Sequence, residues 1–268
     1  MREHVDARTS GGHVVLVGVW DPVSDAQAAF FRDTVSAAEG KGLSVLVVTL
    51  DPDPVAILRG PQTRPAFQDI EYRLWFQAQC GVQSRLVIGL SRWEVEQEGA
   101  SLILNGLRRH VKVEEFLLGQ GQSLGRGVRG SASTIQKYCD RLGIRVAATD
   151  RYRSPVRIND ARDHLCKGEL SSARKLLSQD FYCARPESGE RTMPWPAGTY
   201  TALPLDVPMR QHALERAAVE LPLTPCPGGS RLRWPDDSPP WLAFVSGPGD
   251  RSGAPDGRRT KGMPWAAP

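Results

Sequence analysis

The sequence has few residues that could form a metal site or a disulfide framework. Its five cysteines are odd in number and widely spaced, and none belongs to a C-x-x-C pair (Cys80, Cys139, Cys166, Cys183 and Cys226). This spacing supports neither a zinc site nor a set of disulfides, so we predict partly buried free thiols. The five histidines are equally scattered, which predicts neither a metal centre nor a catalytic histidine pair.

Long hydrophobic runs and blocks of one charge are also missing. No run approaches the roughly 18 apolar residues that a membrane span requires. Residues 1–10 are polar and have no apolar signal-peptide core, so a cytoplasmic location is expected. The 34 basic and 30 acidic side chains are interspersed and give a net charge of +4, which argues against a nucleic-acid-binding surface.

What the sequence does contain is a regular alternation of apolar strands and amphipathic helices. Residues 13–20 and 43–50 read as buried strands, and between them Asp25 is expected to cap a helix. Further helices are predicted at 66–80, 100–109, from Ser131 or Ser133 to 142, and from Asn159 or Asp160 to 177 with a break at Gly168. The remaining strands fall at 85–90, 111–118 and 144–148.

This alternation predicts an α/β domain over residues 12–185, with a parallel sheet between two layers of helices. Ligands of such folds bind beyond the carboxyl ends of the strands. The loops at 18–26, 51–64 and 119–130 are therefore the candidate ligand loops.

The composition changes near residue 185, and the following segment is rich in proline, glycine and tryptophan. Short apolar segments at 200–205, 219–223 and 241–245, with one helix near 209–218, predict a small, mostly β module over residues 190–246. Trp195, Trp234 and Trp241 are expected in its core rather than in a ligand platform. Residues 247–268 are polar and rich in glycine, which predicts a flexible tail.

Several ordered segments of the first domain carry a resemblance to a known family. They are Gly18-Val-Trp-Asp-Pro-Val-Ser-Asp-Ala-Gln27 (family pattern G-N-F-D-G-V-H-x-G-H-Q, here one residue shorter), Val47–Pro54 (V-x-T-F-x-P-H-P), Gly119–Gly130 (G-x-D-F-x-F-G), Val156–Arg162 (S-S-T-x-I-R) and Leu165–Leu177. In this order they resemble the adenylyltransferase domain of bacterial bifunctional riboflavin kinase/FAD synthetases.

The resemblance implies a Rossmann-like nucleotidyltransferase fold of the HxGH superfamily. It also implies the reaction of ATP, with Mg²⁺, and FMN to give FAD and pyrophosphate. The matching positions are nucleotide-binding candidates (Gly18, Asp21, Ser24, Gln27, Arg126, Asn159 and Arg162) and flavin-binding candidates (Pro52, Asp53, Gly119, Leu124 and Gly125). The resemblance identifies no catalytic residue and no metal ligand.

The sequence departs from this family where phosphate is bound. Ser24, Asp25 and Ala26 fill the region of the two signature histidines, and Asp53 replaces the histidine of P-H-P. Because a carboxylate at a helix N-terminus repels phosphate, adenylyl transfer is in doubt. Two alternatives stay open: a non-catalytic homologue that binds a flavin, a nucleotide or a protein, and a biosynthetic enzyme with different chemistry on the same scaffold.

Each retained residue also has a structural interpretation. Gly18 could serve a tight turn, and Asp21 could cap its own loop. Arg126 could lie in solvent, and Arg162 could form a surface ion pair.

The C-terminal module sits where the family has its kinase domain, and Pro196–Tyr200 resembles a strand start of that domain. The kinase pattern G-x-x-L-G-F-P-T-A-N is absent between residues 181 and 194, so we expect no riboflavin kinase activity. The sequence leaves the oligomeric state open.

Overall fold

A computed structural model of the chain forms two compact units. The first comprises Met1–Ile158 and Leu177–Gln179, and the second comprises Asn159–Leu176 and Asp180–Pro268. The structure describes residues 11–60, 66–96, 99–119, 131–149, 158–177, 181–185, 188, 190–193, 195–205, 219–226, 229–234 and 241–250.

The first unit contains a five-stranded parallel sheet, as predicted. Its strands are β1 (His13–Gly18), β2 (Ser44–Leu50), β3 (Ser84–Ile88), β4 (Val113–Gly119) and β5 (Arg145–Thr149). They are arranged in the order β3-β2-β1-β4-β5. From β1, the next two strands, β2 and β3, are added on one side of β1. The chain then crosses over, and β4 and β5 are added on the other side, so the strand order reverses between β1 and β4. This arrangement is a Rossmann-like nucleotidyltransferase fold.

The helices of this unit are α1 (Asp25–Glu39), α2 (Pro54–Arg59), α3 (Ile70–Gln79), α4 (Arg92–Glu96), α5 (Gly99–Leu107) and α6 (Ala132–Arg141). Two of them, α2 and α4, were not predicted, because five or six residues are too few to show a helical period. The cap of α1 is also corrected from Asp25 to Ser24, whose hydroxyl accepts from the backbone N–H of Gln27.

The core lies around the two central strands. Every residue of β2 is buried, and so are the first five residues of β1. Their mostly apolar, β-branched sequence is expected for strands covered on both faces. Residues from β4, α5 and α6 complete this core, among them Phe116, Leu104 and Ile135, each fully buried.

The second unit contains an antiparallel sheet of six strands. These are β6 (Phe181–Ala184), β7 (Glu190–Met193), β8 (Gly198–Leu205), β9 (Val219–Cys226), β10 (Gly229–Arg233) and β11 (Trp241–Ser246), in the order β6-β11-β8-β9-β10-β7. The predicted mostly β module is therefore present. The helix predicted at 209–218 lies outside the described residues.

Aromatic side chains form the interior of this sheet. The Trp195 ring lies 4.9 Å from Phe244 and 5.5 Å from Tyr200, centroid to centroid. Trp195 and Trp234 are buried, as predicted for core residues, whereas Trp241 is half-buried.

The helix pair α7 (Ile158–Cys166) and α8 (Leu170–Leu177) falls almost entirely in the second unit. The segment Gly247–Asp250, which we expected to begin a flexible tail, instead forms a turn on this pair. Gly249 N–H donates to the Gly168 carbonyl at 3.1 Å. The tail prediction therefore applies to residues 251–268, which lie outside the described part of the chain, and the predicted domain boundary at residue 185 stays a prediction.

No helix within the described residues is long and apolar enough to cross a membrane.

Candidate functional site

The candidate ligand crevice lies where the strand order of the first sheet reverses. Gly18 ends β1 and Gly119 ends β4, at the carboxyl edge of adjacent parallel strands. Leu16 of β1 pairs with Leu117 of β4. Two residues further along each strand, the same register places Gly18 opposite Gly119. A predicted nucleotide residue and a predicted flavin residue thus end the two strands that adjoin at the crevice.

The loop after β1 explains why Gly18 is a glycine. A Cβ atom on Gly18 would lie 2.8 Å from the indole of Trp20, closer than real Cβ contacts come. The indole Nε1 donates to the Val48 carbonyl of β2 at 3.1 Å, and its ring lies 5.0 Å from Phe31. The close approach of Trp20 alone is enough to require glycine at position 18. Contact between Gly18 and a phosphate stays a prediction.

Asp21 holds the same loop to the segment that precedes α3. Its carboxylate accepts from the backbone N–H groups of Phe67 at 2.8 Å and Gln68 at 3.0 Å. The side-chain oxygen of Gln68 in turn accepts from Val23 N–H at 2.8 Å. These two partners lie 46 and 47 residues further along the chain, so Asp21 acts beyond its own loop. Its role as a cap within that loop stays a prediction.

The N-terminus of α1 presents few groups to a ligand. The Ser24 hydroxyl accepts from Gln27 N–H at 3.3 Å, and the side chains of Ser24 and Gln27 are both buried. Asp25, which is partly exposed, contributes the acidic group of the first helical turn. A nucleotide role for Ser24 and Gln27 stays a prediction.

Sequence reasoning missed Arg73, which links the ends of β1 and β2. Its guanidinium is 1% exposed. Nη1 donates to the Val19 carbonyl at 2.8 Å, Nη2 pairs with the Asp51 carboxylate, and Nε donates to the Asp69 carbonyl at 3.4 Å. One signal was present, since an arginine on the apolar face of a predicted helix requires a buried acceptor, and Asp51 directly follows a buried strand.

A second polar contact continues this link one helical turn further along α3. Gln77 Nε2 donates to the Thr49 hydroxyl at 3.0 Å, and both side chains are fully buried. The carboxyl edge between β1 and β2 is therefore occupied by a fixed polar network rather than by open space.

The predicted flavin residues after β2 are positioned by α2. Asp53 caps this helix, and its Oδ1 accepts from Val55 N–H at 2.8 Å, while Pro52 is exposed. Leu124, Gly125 and Arg126 lie outside the described residues. Their roles stay predictions.

Two predicted nucleotide residues, Asn159 and Arg162, lie on α7 in the second unit. Arg162 is 9% exposed, which corrects the interpretation that it forms a surface ion pair. Its role toward a ligand stays a prediction.

Cys80, Cys139, Cys166 and Cys183 are free thiols, and three of these four are buried. Burial raises the pKa of Cys80 to about 12 and that of Cys139 to about 11, so both stay protonated at neutral pH. Cys183 is also buried, whereas Cys166 is exposed. Among the described residues, no group of three histidine, cysteine, aspartate or glutamate side chains could hold a metal ion.

The parallel sheet, its reversal point and the glycines facing each other there define a Rossmann-like nucleotidyltransferase domain. A model of the FAD synthetase family matches residues 6–158, and the chain belongs to this family.

Curated proteins are similar to this chain at low sequence identity. The bifunctional riboflavin kinase/FMN adenylyltransferase of Escherichia coli (strain K12) is 23% identical over 173 residues, which are 63% of this chain and 55% of that protein. The protein of the same name from Listeria monocytogenes is 25% identical over 183 residues, 66% of this chain and 57% of that protein. The chain thus spans about half the length of the curated relatives it matches.

Among solved structures, the crystal structure of a macrolide-efflux protein from Streptococcus pneumoniae is similar. It has a TM-score of 0.61 and 14% identity, over 91% of this chain and 88% of that one. At this identity the likeness concerns the fold alone.

Proposed function

We propose that this chain binds a flavin or an adenine nucleotide at the carboxyl edge of its first sheet, without carrying out FMN adenylyl transfer by the mechanism of its family. The observation that carries the proposal is the N-terminus of α1. The family signature implies two histidines there, and this chain has Ser24, Asp25 and Ala26.

The side chains at this helix end do not fit a triphosphate. The Ser24 hydroxyl caps the helix, and Asp25 adds a negative charge in its first turn. Two like charges 4 Å apart repel by about 1 kcal/mol in water and about 4 kcal/mol at an effective dielectric constant of 20. Phosphoryl and nucleotidyl transfer depend on positioning and on stabilising negative charge, so this replacement opposes the reaction.

The shape of the crevice supports the binding half of the proposal. The carboxyl ends of β1 and β4 adjoin at the reversal point, where ligands of open parallel sheets bind. The loop after β1 is held by Asp21 and Arg73 rather than by the ligand. A ligand therefore meets a loop that is already in place, which lowers the entropic cost of binding.

An assay of turnover and binding on the same preparation tests the proposal. The purified chain is incubated with FMN, ATP and Mg²⁺, and FAD and pyrophosphate are measured, with the Escherichia coli bifunctional enzyme as positive control. Calorimetric titrations with FMN and with ATP follow. We expect saturable binding of at least one ligand and no FAD.

Each contrary result removes a definite part of the proposal. FAD formation at the rate of the positive control would show that the signature histidines are dispensable, and the chain would be a working FMN adenylyltransferase. Absence of binding to both ligands would refute the binding role.

A further inference from the structure

Trp93 is unusual among the aromatic side chains of this protein. It is 64% exposed, and it is the one large hydrophobic side chain that is exposed in the part of the chain that the structure describes. Trp20, Trp195 and Trp234 are all buried. The indole of Trp93 is therefore accessible to a ligand from solvent, whereas those of the buried tryptophans are not.

The helix that carries Trp93 is capped at its N-terminus despite its length. Ser91 N–H donates to the Glu94 carboxylate at 2.7 Å, and Glu94 N–H donates to the Ser91 hydroxyl at 3.3 Å, which is a reciprocal capping box. Arg92 pairs with Glu96 at 3.1 Å, and Val95 is buried. The indole is therefore presented by an ordered helix and not by a frayed segment.

This helix lies at the carboxyl edge of the sheet, beside the predicted flavin segment. It follows β3, whose last residue, Ile88, accepts at 3.1 Å from the N–H of Asp51, the residue before Pro52. The helix also packs against α2. The apolar side chains of α2 are only partly buried (Val55, Ile57 and Leu58).

The charges around Trp93 indicate which part of a ligand it would meet. Hydrogen bonds from Ser91 lower the pKa of Glu94, so this carboxylate stays ionised at neutral pH. Glu96 on the same helix is paired with Arg92, so Glu94 is the charge of this helix that would repel a phosphate. An uncharged planar ring has no such penalty and gains from stacking on the indole face.

We propose that Trp93 is a stacking platform for the isoalloxazine ring of a flavin. The proposal rests on the function proposed above and adds the residue and the ligand group that it contacts. The phosphate or adenylate part of the ligand would then lie away from α4, toward β1 and β4.

Calorimetry with riboflavin, FMN and ATP tests this on the full-length chain and three variants. Because Trp93 is exposed, Trp93→Ala should keep the unfolding temperature of the parent. We expect Trp93→Ala to weaken the binding of riboflavin and of FMN by roughly 5- to 100-fold, the range for stacking contacts measured by alanine substitution. Trp93→Phe should retain binding to within about fivefold because the ring face is kept. Arg109→Ala, an exposed change in the turn that leads into β4, should leave all three affinities unchanged.

The possible results separate this inference from the proposed function. Flavin binding that is equal in the parent and in Trp93→Ala refutes the stacking role and leaves the proposed function intact. Equal weakening of ATP and flavin refutes it too, because a stacking contact acts on the flavin alone. A parent chain that binds neither riboflavin nor FMN overturns the stacking role whatever it does with ATP. Loss of riboflavin and FMN binding with unchanged ATP binding supports it.

Discussion

Asp21 and Gln68 form two reciprocal hydrogen bonds between the loop after β1 and the segment before α3. The Asp21 carboxylate accepts from Gln68 N–H at 3.0 Å, and the Gln68 side-chain oxygen accepts from Val23 N–H, two residues after Asp21, at 2.8 Å. The loop that carries the first family signature is thus shaped by the approach to α3.

Asp21→Ala should destabilise the first unit. The change leaves the buried N–H groups of Phe67 and Gln68 without their acceptor, at a cost of about 1–3 kcal/mol. Urea denaturation monitored by circular dichroism measures the effect. Asp33→Ala, at an exposed position of α1, is the matched control and should change stability by less than about 0.5 kcal/mol. Equal stability of the two variants would show that Asp21 is not a structural acceptor.

Arg73→Met should be more destabilising than loss of an exposed ion pair. It removes the donor to Val19 and leaves Asp51 unpaired. Breaking a buried ion pair lowers the free energy of unfolding by about 3–5 kcal/mol. We expect a decrease of about 3 kcal/mol, at the lower end of this range, because the Asp51 side chain is 34% exposed. Arg92→Ala, which breaks the exposed pair with Glu96, should cost less than about 1 kcal/mol. Chemical denaturation of both variants makes the comparison, and similar losses would contradict the assigned role of Arg73.

His13 should make the protein less stable in mild acid. Burial lowers its pKa below the ordinary value of 6.5 and outweighs the opposing backbone hydrogen bond with Lys112. The unfolded chain therefore binds a proton in a pH range where the folded chain does not, and stability falls as the pH drops below about 6.5. In His13→Gln this part of the pH dependence should be lost. Urea midpoints between about pH 5 and 8 measure it, and His110→Gln, at an exposed site, should keep the parent profile.

Asp25→Asn should strengthen binding of ATP relative to riboflavin. Removing the carboxylate from the first turn of α1 removes repulsion of about 1 kcal/mol or more, which corresponds to roughly fivefold or more in affinity. Riboflavin carries no phosphate and should bind unchanged. The same change weakens the helix by about 0.3–1 kcal/mol, which thermal unfolding should show. An ATP affinity that is unchanged or lower would mean that the phosphates lie away from α1.

Asp250→Ala should weaken the second unit through α8. The carboxylate accepts from Ser171 N–H at 3.0 Å and from Gly247 N–H at 2.7 Å, so it caps α8 from a residue 79 positions away. Loss of such a cap costs about 1 kcal/mol. Thermal unfolding should show the decrease, and Asp163→Ala on the exposed face of α7 should not. No difference between the two variants would show that the turn at 247–250 adds nothing to the helix.

The pattern of apolar residues was enough to predict the parallel sheet and its main helices. Buried parallel strands are mostly apolar, as in β2, and a long helix such as α1 repeats its apolar positions often enough to be read. The short helices α2 and α4 could not be predicted this way. They depend on single capping contacts, those of Asp53 and Ser91, which a periodic pattern does not show.

The candidate site was predicted less completely than the fold. Gly18 and Gly119 were both selected from the sequence, and the sheet register brings them together. Asp21 was selected as well, but its partners in the segment before α3 were not, because no local pattern indicates a hydrogen bond across 47 residues. Arg73 was missed for the same reason.

By itself, the sequence determined the class of fold, the family and the absence of histidine at residues 24–26, because these depend on residue types in order along the chain. Only the tertiary structure decided how the remaining polar residues are used. Asp21, Ser24 and Asp53 all satisfy backbone N–H groups, and Arg73 pairs with Asp51 at the ends of β1 and β2. A buried N–H must find an acceptor wherever the fold places one, and that choice is made in space rather than along the chain.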